Sequence, residues 1–261
     1  MDFSSTIQLD DGFQFGLGAF ETIAVEHGQP VFPEKHLARL DRAAAFLQLS
    51  SCKARNVTPE QIRAYIAAHS ASHHSVLKIL LTKENLLFRT RPNPYTPNSY
   101  ETGFRMDFSP VLRNETSPLV AHKTLNYGDC ILEKRAATAL GLNERIFLNT
   151  KGQLCEGTTT NLFLVRGGAI LTPALSCGLL PGILREYLLE TYKITETILY
   201  PKDLADCEEC FVTNSLMGIM PVTQLGEKVF SQRGTADRLR AELTDMYSLM
   251  MGGPPMEEDE E

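Results

Sequence analysis

The tightest constraint on the fold is the segment VLKILLTKENLLFRT, in which β-rich runs over 76–81 and 86–90 flank Lys83-Glu84-Asn85. That spacing makes an antiparallel hairpin. Hairpins sit poorly in a doubly wound parallel sheet, whose strands are separated by helices. Upstream, FETIAVE (20–26) is rich in β-formers, His27-Gly28-Gln29 forms a turn, and Pro30-Val31-Phe32 begins a partner strand. Pro33-Glu34 then opens a helix with Leu37, Leu40, Ala44 and Leu47 on one face. A second helix starts at Thr58-Pro59-Glu60-Gln61, with Thr58 as N-cap, proline first in the helix and Gln61 completing a capping box. An alternating strand over 104–108 ends this part.

Over 110–117 (PVLRNETS) the chain turns polar and loses periodicity, as a connection does. Beyond it the pattern predicts a helix from Lys123 to near Gly141, strands over 145–148, 161–165 and 169–171, and a helix opened by Pro181-Gly182. Strands around Phe211 and over 219–222 and a last helix over 236–250 follow. Mixed strands and helices with several hairpins define an α+β fold. The expected division is a small N-terminal α+β domain over 1–110, a connection over 111–117, a larger C-terminal domain over 118–252 and an acidic disordered tail over 253–261. No internal repeat and no G-x-G-x-x-G in a strand-to-helix setting is present.

The 261 residues are 43% hydrophobic, enough to bury a substantial core. A net charge of -7 argues against nucleic acid as a partner, and no apolar run is long enough to span a bilayer. MDFSSTIQLDDGF lacks the basic and then apolar regions of a signal peptide, so a cytoplasmic location is expected. The six cysteines then default to free thiols. Cys207 and Cys210 form a lone C-x-x-C, read as surface or half-buried thiols near a strand start, because neither a second pair nor histidines at ligand spacing accompany them. His73-His74 lie in a polar stretch and are read as solvated. No metal is expected.

Chemistry concentrates in HKTLNYGDCILEKRAA, with Lys123, and GQLCEGTTTNLFLV, with Glu156. A lysine amine that condenses with an aldehyde, and a carboxylate at a strand end that protonates a pyridine nitrogen, are what pyridoxal phosphate chemistry requires. Taken alone, Lys123 reads as a solvated helix start and Glu156 as a polar turn residue; the neighbouring motifs reverse both readings. The stretches FGLGAFETIAV, FPEKHLARL, EGTTTNLFLV, LPGILRE and ECFVTNSLMGIMPV, with the lysine segment, together resemble the class IV (fold type IV) pyridoxal phosphate enzymes. These are the branched-chain and D-amino acid transaminases and aminodeoxychorismate lyase, and the stretches occur in the family's order.

The resemblance implies the two-domain fold of D-amino acid aminotransferase, pyridoxal 5'-phosphate as cofactor and a homodimer with active sites near the subunit interface. It makes Lys123 the cofactor-bearing lysine and the base that moves the substrate proton, and Glu156 the partner of the pyridine nitrogen. Arg39 matches the family's phosphate-binding arginine, a role its guanidinium fork suits. The amides of Ile183 and Leu184, at a helix start, and the hydroxyl of Ser215 are implied phosphate contacts. Tyr127, one helical turn after Lys123, is implied at the cofactor's phenolic oxygen; a core tyrosine is the competing reading.

Fold and cofactor leave the reaction open. FETI, with Thr22 in place of a glycine, the short N-terminus and the Thr90 to Tyr95 stretch TRPNPY resemble aminodeoxychorismate lyase, which makes p-aminobenzoate and pyruvate for folate synthesis. Arg91 is the expected contact for a substrate carboxylate, with Thr22 beside it; a solvated strand residue is the other reading of Arg91. Ala24 stands where many lyases carry arginine, and this departure favours the alternative, a class IV aminotransferase acting on branched-chain or D-amino acids. A catalytically dead binding relative is the remote alternative, opposed by the presence of Lys123, Glu156 and Arg39.

Overall fold

The computed structural model describes residues 6–70 and 72–250; the acidic tail expected over 253–261 lies outside the described residues. The first part contains α1 (Asp11–Phe15), β1 (Ala19–Glu26), β2 (Gln29–Pro30), α2 (Pro33–Phe46), α3 (Pro59–His69), β3 (Ser75–Leu81), β4 (Leu86–Pro92) and α4 (Pro97–Thr102). Its strands form one antiparallel sheet in the order β2-β1-β3-β4, with the expected β3–β4 hairpin. Ile23, Val25, Leu77, Ile79 and Leu81 pack on Leu37 and Leu40 of α2 and on Ile62 and Ile66 of α3. Thr58 caps α3 by accepting the Gln61 amide at 3.3 Å, as the sequence predicts. Alternation along the strands turns Phe20, Thr22 and Lys78 to the opposite face, away from these helices.

The second part contains β5 (Phe104–Phe108), α5 (Gly128–Ala139), β6 (Glu144–Leu148), β7 (Leu154–Gly157), β8 (Asn161–Arg166), β9 (Ala169–Pro173), α6 (Ile183–Thr191), β10 (Ile194–Thr197), β11 (Glu209–Asn214), β12 (Gly218–Leu225), β13 (Lys228–Val229) and α7 (Gly234–Met250). The strand order is β10-β9-β8-β11-β12-β5-β6-β7, with β13 on β12. β7 also pairs with β8 through Glu156 and Asn161, so six strands close on themselves. Leu162, Leu164, Val212, Met220, Val222 and Ile146 fill this closed sheet, while α6 and α7 cover Phe163, Phe211 and Ile219 outside it. No helix among the described residues is long and apolar enough to cross a membrane.

Three expectations need correction. β5, assigned above to the first part, pairs in parallel with β12 and β6, because Phe104 and Met106 bury their side chains in the second core. The helix after Lys123 starts at Gly128. The backbone of 123–125 is held extended instead: Thr124 bridges to Ala19, Lys123 O accepts the Phe20 amide at 3.0 Å, and the Leu125 amide reaches Gly18 O at 2.8 Å. Tyr127 is therefore the residue that caps α5, not one a helical turn beyond Lys123. Cys207 and Cys210 are buried in the second core, whereas His73 and His74 are exposed, as expected.

Candidate active site

A cavity of about 320 Å³ lies between the bare face of the small sheet and the rim of the closed one, and Lys123 reaches into it. The extended 123–125 backbone fixes where the lysine starts, and Phe20, its partner on β1, supplies the surface it lies on. The Lys123 Nζ is 4.4 Å from the centroid of the Phe20 ring and 5.1 Å from that of Tyr127. Burial and the nearby Arg39 bring its pKa down to about 8, against the upward pull of Glu21 and Glu156. A useful fraction of the amine is therefore neutral near pH 7, as a nucleophile or base requires.

Glu156 faces the same cavity from β7, where the closing β7–β8 pair holds the strand end in place. Each of its oxygens has one partner and keeps a lone pair for another: Oε1 accepts from Arg113 Nη2 at 2.8 Å and Oε2 from the Leu180 amide at 3.1 Å. Burial raises the Glu156 pKa, and Arg113 opposes it. Arg113 lies over the Phe147 ring at 4.3 Å and also donates to Cys130 Sγ at 3.1 Å. Its site lies in the polar stretch read only as a connection, where an arginine carries no periodic signal.

Behind Glu156, the E-G-T-T-T turn is tied to Glu144, a fully buried carboxylate on β6. Glu144 accepts from the amides of Thr158 and Thr159 at 3.1 and 3.3 Å, from the Thr159 hydroxyl at 3.0 Å, and from the Thr158 hydroxyl. Sequence reading missed Glu144 as well, since it stands one residue before the strand expected over 145–148. Tyr127 donates its hydroxyl proton to Thr158 O at 2.8 Å. That bond fixes the Tyr127 ring beside Lys123, and its oxygen keeps the capacity to accept a further hydrogen bond.

Arg39 lines the same cavity and is held by a buried acid. Its Nε and Nη2 grip the two oxygens of Glu21, each at 2.7 Å, and Nη1 is 3.3 Å from Pro181 O. Glu21 and Arg39 meet because β1 and α2 pack face to face, and His36 Nδ1 completes the buried cluster 2.6 Å from Glu21. Burial alone would raise the Glu21 carboxyl, but Arg39 and His36 carry it far below the usual range. Glu21 thus fixes the Arg39 guanidinium at the cavity wall.

The other implied phosphate groups do converge. Ile183 and Leu184 open α6, where the first amides have no acceptor within the helix. Gly182 before them admits no side chain, since a Cβ would fall 2.0 Å from Asn161 Oδ1. Asn161 in turn holds Leu180 O at 2.9 Å. Ser215 lines the cavity and is half-buried. Thr160 and Thr213, which sequence reading passed over, line it too, and their buried hydroxyls have no hydrogen-bond partner among the described residues. Donors without acceptors beside free helix amides suit an anion of several oxygens, so the residues present fit a phosphorylated cofactor. Thr22 and Arg91 both reach the cavity wall, Thr22 half-buried and Arg91 exposed with Nη1 3.1 Å from Pro92 O. No group of three or more metal-ligating side chains occurs among the described residues.

A closed mixed sheet, a small antiparallel sheet and a lysine–carboxylate cavity between them define a family, and the sequence comparison agrees. The chain belongs to the amino-transferase class IV family, whose model matches residues 18–225. Among curated relatives, the aminodeoxychorismate lyase of Bacillus subtilis is 26% identical over 250 residues, spanning 87% of this chain and 84% of that protein. A Thermotoga maritima protein named "Probable branched-chain-amino-acid aminotransferase" is 28% identical over 217 residues, spanning 81% and 78%. The solved 4-amino-4-deoxychorismate lyase of Pseudomonas aeruginosa superposes with a TM-score of 0.79 at 26% identity, covering 94% of this chain and 97% of that one. The fold IV transaminase of Curtobacterium pusillum does so with 0.79 at 25%, covering 92% and 91%. The fold is that of the fold type IV enzymes.

Proposed function

We propose that this protein is a pyridoxal phosphate-dependent aminodeoxychorismate lyase, converting 4-amino-4-deoxychorismate to p-aminobenzoate and pyruvate. The observation that carries the cofactor assignment is Lys123 itself, an amine with its pKa brought down to about 8 in a cavity it shares with Glu156. Pyridoxal phosphate, when bound, supplies an electron sink conjugated to the substrate nitrogen. The cavity offers it Lys123 for its aldehyde, Glu156 for its ring nitrogen, and the Ile183 and Leu184 amides with the Thr160, Thr213 and Ser215 hydroxyls for its phosphate.

Lys123 Nζ takes the proton from the ring carbon that bears the substrate amine. The carbon–oxygen bond to the enolpyruvyl group then breaks, the ring becomes aromatic, and the same nitrogen returns the proton to the departing methylene carbon, giving pyruvate. Glu156, fixed by Arg113 and the Leu180 amide, holds negative charge where the sink needs it. Glu144 keeps the turn that carries Glu156 from shifting.

Thr22 on the cavity wall and the near full-length similarity to two lyases support lyase chemistry. A transaminase is the second reading, favoured by Ala24: it is 2% exposed on β1, so the wall beside Thr22 lacks an arginine. The deciding assay supplies purified protein with pyridoxal phosphate and enzymatically generated aminodeoxychorismate. We expect equimolar p-aminobenzoate and pyruvate, with turnover lost by at least roughly a thousandfold in Lys123→Ala. Covalently bound cofactor in the wild type with no p-aminobenzoate would instead establish the transaminase reading.

A further inference from the structure

The face of the small sheet that looks into the cavity carries two cations, Lys78 and Arg91, that hold no carboxylate among the described residues. Thr22 on β1 pairs directly with Lys78 on β3, so both project to the same side. Lys78 pairs in turn with Arg89 on β4, and Val76, two residues along the same face, pairs with Arg91. Lys78 and Arg91 line the cavity. Neither makes an ion pair among the described residues, in contrast to Arg39 and Arg113, which each hold a carboxylate. Glu156, the acid among the residues lining the cavity, is already engaged by Arg113. Lys78 is half-buried, whereas Arg91 is exposed, so Lys78 is the cation set deeper in the wall.

Its distance from the reacting amine is bounded by a shared ring. Lys78 Nζ lies 4.8 Å from the Phe20 centroid and Lys123 Nζ 4.4 Å from it. The two nitrogens are thus at most about 9 Å apart, each in contact with one aromatic ring. An amine and a carboxylate placed para on a six-membered ring set nitrogen and oxygen roughly 6.5 Å apart by ordinary bond lengths. That length lies within the upper bound on the separation of the two amines.

Resting on the lyase reading, we propose that Lys78 is the specificity-determining residue of the site, binding a carboxylate placed on a ring across from the reacting amine, with Arg91 as the outer cation of the same patch. The substrate class is then a cyclic amine bearing a remote carboxylate, rather than a compact aliphatic amino acid. Lys78 selects for that group and takes no part in the proton transfer at Lys123. Burial and the neighbouring Arg91 lower the Lys78 pKa, a cost that a bound carboxylate relieves.

The test uses the holoenzyme and two probes that differ only in the carboxylate, p-aminobenzoate and aniline, with binding read by titration calorimetry. Wild type should prefer p-aminobenzoate by roughly tenfold or more, as a charge-assisted hydrogen bond provides. Lys78→Gln should bring the preference close to one while leaving aniline affinity unchanged, and Lys78→Arg should restore most of it. A preference retained in Lys78→Gln overturns the assignment. So does a wild-type preference near one, which needs no variant to fold. The lyase reading fails separately, by absence of p-aminobenzoate production in wild type, and that outcome does not alter the ratio measured here.

Discussion

The two walls of the cavity are built in opposite ways. The closed-sheet wall ties its charged groups, while leaving the Thr160 and Thr213 hydroxyls and the first α6 amides for a ligand: Glu156 has a partner on each oxygen, Arg113 bridges it to Cys130, and Glu144 gathers the amides and hydroxyls of Thr158 and Thr159. The small-sheet wall carries Thr22, Lys78 and Arg91, with no ion pair between them and any acid of the described residues. A saturated buried network resists change because each member left alone is a buried unsatisfied group. An open cationic face tolerates substitution and responds to whatever ligand arrives. The first wall suits a task common to the family, holding the cofactor's electronics fixed, and the second suits choosing a substrate.

That contrast breaks most readily at Glu156. Glu156→Gln keeps the shape but removes the negative charge and leaves Arg113 buried without its ion-pair partner. We expect kcat to fall by about a thousandfold, roughly 4 kcal/mol of barrier, with cofactor still captured by Lys123. Steady-state rates beside borohydride-trapped cofactor content measure both, and kcat within threefold of wild type would dissolve the distinction between the walls.

Lys123 sits between the walls, and its cost appears in the cofactor-free protein. Its folded pKa of about 8 lies below the ordinary 10.5, so between those values the unfolded chain binds more protons than the folded one. The charged lysine therefore weakens the fold below pH 8, and stability returns as pH rises from 8 to 10.5. Allowing for the partial exposure of the side chain, Lys123→Met should stabilise the cofactor-free protein by about 2 kcal/mol at pH 7. Urea unfolding should show the gap closing toward pH 10; equal midpoints at pH 7 would mean that the lysine is not strained by its site.

Sequence reading reached the residues whose roles are local and missed those whose roles depend on closure of the sheet. Lys123, Glu156 and the Gly182-Ile183 helix start stand in motifs, and all three face one cavity. Arg113 could not be found this way, because its partner is 43 positions distant and its own segment is polar and aperiodic. Glu144 serves a turn 14 residues on, through bonds that leave no mark in hydropathy. The same limit explains β5: alternation identified a strand, but parallel pairing with β12 joins segments more than 100 residues apart. Lys123 was read onto a helix because the following segment has helical character. Its own carbonyl is claimed by the Phe20 amide and the Leu125 amide nearby by Gly18, and sequence periodicity does not register such pairing.

On the small-sheet wall the expected effects are smaller and confined to substrate. Thr22 is half-buried, lies directly across the ladder from Lys78, and belongs to none of the networks that hold Lys123, Glu156 or the α6 amides. Replacing its hydroxyl with a methyl in Thr22→Val preserves the β-branched shape that β1 favours and removes one donor facing the ligand. One such hydrogen bond corresponds to a fall in kcat/KM of about tenfold, with affinity for pyridoxal phosphate unchanged. Parallel measurement of cofactor Kd and kcat/KM separates the two walls in one variant. A loss of cofactor affinity as large as the loss in kcat/KM would mean that the small sheet helps hold the cofactor, and that the division of labour between the walls is wrong.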